Sequence, residues 1–398
     1  MTHRVAARVR DLPPSGLRRF FDLVSKMDDV VTLGVGEPDF ATPWHICDSM
    51  VDALERGRTS YTPSAGIPAL RQAITDYVRR RYEVAYDPES EVIVTSGVSE
   101  ALDLAFRALL EPGDQVAVVT PCYVAYPACV ELAGGELITV GTRLEDGFAL
   151  DPELLESTLT PRTKALLISY PNNPTGAVMS REQLVRIARI AVERDLFVVS
   201  DEVYDQLVYD GHEHVCVPGL PGMRERTLLL NGFSKSYAMT GLRLGYACGP
   251  RDIIAGMLRI HQYTALCCSV VAQWGAVEAL TNGDSEAARM RGEYARRRPY
   301  LTRALNAIGL PCFEPKGAFY CFPSIRHTGL TSEAFAGRLL EEERVAVVPG
   351  NAFGAAGEGF IRCTYATSLD QIKLAVERIA QFLKRLDART PRAGVPNG

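Results

Sequence analysis

One lysine in this sequence is out of keeping with its surroundings. Lys235 lies in NGFSKSYAMTGLRLGY (Asn231–Tyr246), after the apolar run TLLLNG (Thr227–Gly232) and before RLGYACG (Arg243–Gly249). Both runs read as buried strands. A lysine at the end of a buried strand loses hydration, which destabilises its ammonium form and leaves an amine that can act as a nucleophile. The competing reading is a lysine that snorkels from a surface loop. The two readings separate on what the other strand ends carry.

Those ends are not random. EVIVTS (Glu91–Ser96) is followed by Gly97, Val98 and Ser99 at the opening of a helix, and QVAVVT (Gln115–Thr120) by Pro121 and Tyr123. ALLISY (Ala165–Tyr170) runs into PNNPTG with Asn173, FVVSDE (Phe197–Glu202) carries Asp201 with Tyr204 three residues on, and TLLLNG leads to Ser234 and Lys235. Each has an ordinary structural role as a cap or a turn. Together they put an anion site, an aromatic plate, an amide, a carboxylate and an amine along one edge, a set that packing does not require. Pyridoxal 5′-phosphate uses all of them. Its aldehyde condenses with a lysine, and its ring nitrogen stays protonated beside a carboxylate. Its phosphate suits helix-start N–H groups with a hydroxyl and an arginine, and its ring face suits an aromatic. Lys235 is then the anchoring amine and Asp201 the partner of the ring nitrogen. Gly97, Val98, Ser99, Ser234 and Arg243 form the phosphate cup.

The elements that must position these groups follow from the apolar pattern. From about residue 90, short apolar runs alternate with helical segments such as SREQLVRIARIAVERD, which opens with Ser180 and Gln183 in capping-box spacing. Strand, helix, strand at this spacing means parallel βαβ crossovers and an α/β sheet covered on both faces. The link between TLLLNG and RLGYACG is too short for a parallel crossover, so the last strand is expected to run antiparallel. After about residue 285 the pattern changes to a charged helix, isolated strands (GAFYCFPSI, VAVVPG, GFIRCTYA) and a closing helix. We expect a large α/β domain over 46–285, a smaller α+β domain from 1–45 and 286–386, and a disordered tail over 387–398. The run ALCCSVVAQWGAVEAL (Ala265–Leu280) reads as a buried helix, interrupted by Gln273 and Glu278 and so too polar for a membrane span.

In this order and spacing the motifs resemble those of the class I pyridoxal-phosphate aminotransferases of fold type I, over about residues 10–385. GFSKSYAMTGLRLG is similar to that family's lysine signature, PNNPTG to its Asn-Pro-x-Gly element and SDEVY to its Asp-x-x-Tyr, with GEPDF and YTPSAGIPALRQAI matching its early motifs. The resemblance implies that Tyr123 stacks on the cofactor ring and that Asn173 and Tyr204 bond its 3′ oxygen. It implies that Tyr61 reaches the phosphate of a neighbouring subunit, hence a homodimer with shared sites. It also implies that Gly36 meets the substrate carboxylate through its backbone and that Arg362 forks onto the α-carboxylate.

Composition narrows the alternatives. A net charge of −5 removes the electrostatic case for nucleic acid or an anionic membrane. Ten cysteines without a CxxC pair, and an N-terminus without an apolar signal core, lead us to expect a cytoplasmic chain with reduced thiols. The triplet His212-Glu213-His214 has no third ligand nearby in sequence, so no metal is expected. GVGEPDF offers Gly34 and Gly36 as a partial dinucleotide fingerprint, but Asp39 holds the third position. A carbon–sulfur lyase or a cyclopropane-forming synthase on the same fold, and a non-enzymatic regulator, remain as rivals. Some aspartate-specific relatives carry a lysine where this chain has Ser99. HQYTALCCSVVAQ and KGAFYCFPSI look most like acetyl-diaminopimelate aminotransferases, with aromatic ones next. Glutamate and 2-oxoglutarate are the expected shared pair, with Arg18 as a cation that could meet a distal carboxylate.

Overall fold

The computed structural model describes residues 4–12 and 27–389, so Arg18 lies outside the described residues. A short strand β1 (Val31–Thr32) precedes the main sheet of seven. These are β2 (Val92–Thr95), β3 (Gln115–Thr120), β4 (Glu136–Gly141), β5 (Thr163–Ser169), β6 (Phe197–Asp201), β7 (Thr227–Gly232) and β8 (Gly245–Cys248). Their order is β2-β8-β7-β6-β5-β3-β4, and every neighbouring pair is parallel except those that β8 makes with β7 and β2. The short link after β7 thus reverses the chain as its length requires, giving an α/β fold with a mostly parallel sheet.

Alternate residues of each strand feed two apolar layers. Val116, Val118, Leu167, Val199 and Leu230 pack in one layer with Leu102, Phe106 and Met257 of the helices Gly97–Leu109 and Arg251–Thr264. Ala117, Leu166, Ile168 and Val198 pack in the other with Leu184 and Ile187 of the helix Arg181–Glu193. Both faces are covered, which is why these strands read as unbroken apolar runs. The Arg181 helix starts on the capping box expected, Ser180 accepting from the Gln183 N–H and Gln183 from that of Ser180.

The remaining strands are small: β9 (Tyr320–Cys321), β10 (Val345–Ala346), β11 (Val348–Pro349) and β12 (Ile361–Thr364). β11-β12-β9 form an antiparallel sheet, while β10 pairs with β1 in parallel. VAVVPG, read above as one strand, therefore serves two sheets, and just past Pro349 the Gly350 N–H still donates to the Phe360 carbonyl. Helices Asp284–Ala307, Ser332–Glu343 and Leu369–Arg389 close this unit over Leu301, Phe335, Leu339, Ile372 and Phe382. The same cluster includes Val203 and Tyr204, at the carboxyl edge of the large sheet. Two boundaries differ from expectation. The Ala265–Leu280 run becomes helical only at Val270, where Ser269 caps the first turn by accepting from the Ala272 N–H. The closing helix continues to Arg389, so the first residues of the expected tail are helical. Among the described residues no helix is long and apolar enough to cross a membrane.

Candidate active site

A cavity of about 570 Å³ opens beyond the carboxyl ends of β2, β3, β5, β6 and β7. Gly36, Val98, Ser99, Tyr123, Asn173, Asp201, Tyr204, Ser234, Lys235, Arg243 and Arg362 all line it. Gly97 stands immediately behind Arg243, and Tyr61 lies elsewhere, 85% exposed.

One end of the cavity is made of backbone at close quarters. Because β8 is antiparallel, Arg243, two residues before it, arrives at the edge where the other strands finish. Gly97 has φ +77°, and a Cβ there would come within 2.7 Å of the Arg243 guanidinium. A Cβ on Gly245 would fall 2.7 Å from the Gly97 carbonyl carbon and the Val98 nitrogen. Glycine at both positions lets the helix Gly97–Leu109 begin against β8 with the arginine beside it. Ser96 does not cap this helix through its side chain; its own N–H donates to Glu100 at 2.5 Å instead. The first-turn N–H groups are left without a side-chain cap, and Val98 and Ser99 line the cavity with Ser234 and Arg243, an arrangement able to hold an anion.

In the middle stand Lys235 and Asp201. The Lys235 ammonium donates to the Gly36 carbonyl at 2.6 Å. Burial, reinforced by the Arg362 and Arg243 charges, pulls its pKa down to about 8 against the opposing pull of Glu37 and Asp201. Asp201 is 4% exposed, and burial pushes its carboxyl up to about 6 despite hydrogen bonds that favour the anion. Those bonds come from the Tyr126 hydroxyl at 2.7 Å and the Val203 N–H at 3.2 Å. A buried carboxylate held by two donors but short of a cation suits a protonated ring nitrogen.

The far end is assembled from distant parts of the chain. Arg362, on β12 and 2% exposed, donates from Nη1 to Asn173 Oδ1 at 2.9 Å and from Nη2 to the Gly34 carbonyl at 2.8 Å. Its Nε is buried without a partner. The guanidinium lies over the Tyr320 ring, 4.4 Å from its centroid, and the Tyr320 and Tyr204 hydroxyls are bonded at 2.9 Å. Gly34 and Gly36 reach this place because Leu33 bridges the two small sheets, donating to Ala346 and accepting from Thr364. Asn173 is free to meet Arg362 because its neighbour Asn172 holds the PNNPTG turn, accepting from both the N–H and the hydroxyl of Thr175.

Three residues of the site were not singled out in the sequence: Tyr126, Tyr320 and Glu37, all in the cavity wall. Tyr126 falls one helical turn after Tyr123, a spacing that could have suggested it. Tyr320 sits in a run that looked like ordinary strand, and only the pairing of β9 with β12 brings it beside Arg362. The metal-like triplet resolves differently: His214 Nε2 lies 2.6 Å from a carboxylate oxygen of Glu202.

The family described as aminotransferase class I and II matches residues 28–379. The chain is 44% identical over 373 residues to the aspartate aminotransferase of Pyrococcus abyssi, covering 93% of this chain and 96% of the relative. It is 42% identical over 379 residues to aromatic-amino-acid aminotransferase 2 of Thermococcus litoralis, covering 95% and 97%. Among solved structures, the aspartate aminotransferase from Thermus thermophilus with maleate superposes with a TM-score of 0.92 at 42% identity, covering 96% of this chain and all of the other.

Proposed function

This chain belongs to the aminotransferase class I and II family and is a pyridoxal-phosphate-dependent aminotransferase, and within that frame we propose the following division of labour. Lys235 carries the cofactor aldehyde, Asp201 bonds its ring nitrogen, and Tyr123 stacks on its face. Asn173 and Tyr204 hold the 3′ oxygen. Gly97, Val98, Ser99, Ser234 and Arg243 hold the phosphate, and Arg362 with the Gly36 backbone takes the substrate α-carboxylate. The reading rests on one observation: Lys235 in the turn after β7, Asp201 at the end of β6 and Arg362 on β12 converge on one cavity. When bound, the cofactor supplies an electron sink for the bonds at substrate Cα. The Lys235 amine accepts the proton that leaves Cα and, as the ammonium, gives it up again. Asp201 keeps the ring nitrogen protonated, and Arg362 fixes which Cα bond faces the sink. Borohydride treatment of the yellow holoenzyme should leave the cofactor label on the Lys235 peptide. A label on another lysine, or a protein that takes up no cofactor, overturns the assignment.

The substrate reading is glutamate as donor, with an acceptor 2-oxo acid that is long or aromatic and not a short dicarboxylate. Among the described residues the cations in the cavity wall are Lys235, Arg243 and Arg362, each already engaged, and Glu37 adds a carboxylate. A second carboxylate buried against this wall would lack a partner, which costs several kcal/mol, so in this proposal the distal carboxylate of glutamate is met by a cation beyond that wall, Arg18 being the candidate. With 2-oxoglutarate as acceptor, an aromatic or acetylated diamino acid should exceed aspartate in kcat/KM. Aspartate leading by more than about tenfold, or ~1.4 kcal/mol, would restore an aspartate-specific enzyme.

The larger unit over 46–285 and the smaller over 1–45 and 286–386 form two domains in this reading, supported by the β1–β10 pairing. We place the chain in the cytoplasm as a homodimer. Ten free cysteines and the uncovered Tyr61, Trp44 (75%) and Tyr263 (93%) support that. Mixed Tyr61→Phe and Lys235→Ala subunits should regain activity in hybrids that contain one intact site. Subunit exchange without recovery rejects the shared site.

A further inference from the structure

His214 has no part in the cavity, yet it is the most closely held histidine behind it. Strand alternation sets the geometry. Asp201 faces the cavity, while Ser200 and Glu202 turn to the opposite side, where the Ser200 hydroxyl donates to Glu202 at 2.9 Å. Glu202 is 1% exposed and also accepts from the Val217 N–H at 2.9 Å and from His214 at 2.6 Å. The His214 side chain is 7% exposed, with the Tyr82 ring edge-on against it at 5.4 Å. The charged and titratable groups facing it are Glu202, Asp205, Arg81 and Tyr82, and the Cys216 thiol bonds the same Glu202. Asp205 is itself occupied by the hydroxyls of Tyr77 at 2.6 Å and Tyr82 at 2.7 Å.

We infer that His214 is a positioning residue for the reaction: as an imidazolium it neutralises Glu202, so that Asp201 supplies the negative charge at the end of β6. The carboxylate next along the chain is thereby prevented from competing electrostatically with the one that bonds the cofactor. Desolvation alone would favour a neutral ring, but the adjoining Glu202 charge and hydrogen bond outweigh it and raise the pKa of His214 above its ordinary value. An unneutralised Glu202 raises the proton affinity of Asp201, a direction already present in the folded chain.

This inference rests on the proposal that Asp201 bonds the ring nitrogen, so the experiment includes a control for that. In the holoenzyme, the pH midpoint of the cofactor's visible absorbance is measured for wild type, Asp201→Asn, His214→Gln, and the double variant His214→Gln/Glu202→Gln. Removing the imidazolium leaves net negative charge behind Asp201, so the midpoint should rise by half a pH unit or more in His214→Gln. The double variant removes that charge and should return within about 0.2 units of wild type. A role in packing alone predicts no such rescue. An unchanged midpoint in His214→Gln, or a shift the double variant does not reverse, overturns the inference. If Asp201→Asn also leaves the midpoint unmoved, the Asp201 assignment has failed instead. Should His214→Gln not fold, nitrogen-15 NMR of histidine-labelled wild-type holoenzyme decides: an imidazole protonated on both nitrogens at pH 7 supports the inference, and a neutral ring rejects it.

Discussion

The two ends of the cavity are built in opposite ways. The end proposed for the phosphate is local, with Gly97, Val98 and Ser99 consecutive, Ser234 beside Lys235, and Arg243 eight residues on. The end proposed for the substrate carboxylate is long-range, with Arg362 bonded to residues 189 and 328 positions away. A local construction tolerates change elsewhere but no change in its own backbone. A long-range one depends on the docking of the small sheets against the large one, and its parts can be damaged singly.

That contrast can be broken most directly at the junction, Lys235. Lys235→Ala should lower kcat by about 10²–10⁴-fold and abolish the visible absorbance, whichever end is intact. At the long-range end, Arg362→Ala should lower kcat/KM by about 2–4 kcal/mol, roughly 30- to 1,000-fold. Cofactor affinity should hardly move, which equilibrium titration of apoenzyme would check. Gly97→Ala should do the reverse. Its strained φ and the lack of room beside Arg243 cost about 1–3 kcal/mol. We expect cofactor binding to weaken about ten- to a hundredfold, with KM for the amino acid near wild type in the loaded enzyme. If Gly97→Ala raised KM and left cofactor affinity alone, the two-ended description would be wrong.

The smallest effect belongs to the titration of the two central groups, Asp201 and Lys235. With Asp201 pushed up to about 6 and Lys235 pulled down to about 8, the apoenzyme has its carboxylate charged only above the first value and its amine free only above the second. The rate of cofactor capture should therefore rise with pH in two steps. Tyr126→Phe removes a bond that favours the anion, so the lower step should move up by about half to one pH unit, seen in stopped-flow absorbance. The stability sign is the reverse of a salt-bridged carboxylate. Folding favours protonated Asp201, so the apo chain loses that increment as pH rises through about 6.

Legibility in the sequence follows the same divide. Residues that end a strand were readable because apolar runs mark the strands and a parallel sheet gathers their ends on one edge. The antiparallel β8 was readable from the length of one link. Arg362 could be named only through resemblance, since a charged residue within GFIRCTYA looks like any edge-strand arginine until β9 and β11 are folded around it. Tyr320 was invisible for that reason, and so was the split of VAVVPG between two sheets: pairing partners are chosen in three dimensions and leave no local pattern. His214 was weighed only as a metal ligand and set aside, because spacing reports candidate ligands and not the buried carboxylate beside them.

Among the described residues, the strand β2 has one neighbour in the main sheet, and that neighbour is β8, more than 140 residues further along the chain. On a ribosome, the first-made edge of this sheet emerges long before anything exists to pair with it. The helix proposed to hold the phosphate hangs from an unpaired strand until Gly245 has been synthesised. Closure of so large a loop is slow, and the exposed edge is prone to aggregation meanwhile. The cofactor cup thus comes into being in a single late event, as Lys235, Arg243 and the partner for β2 are delivered by the same stretch of newly made chain.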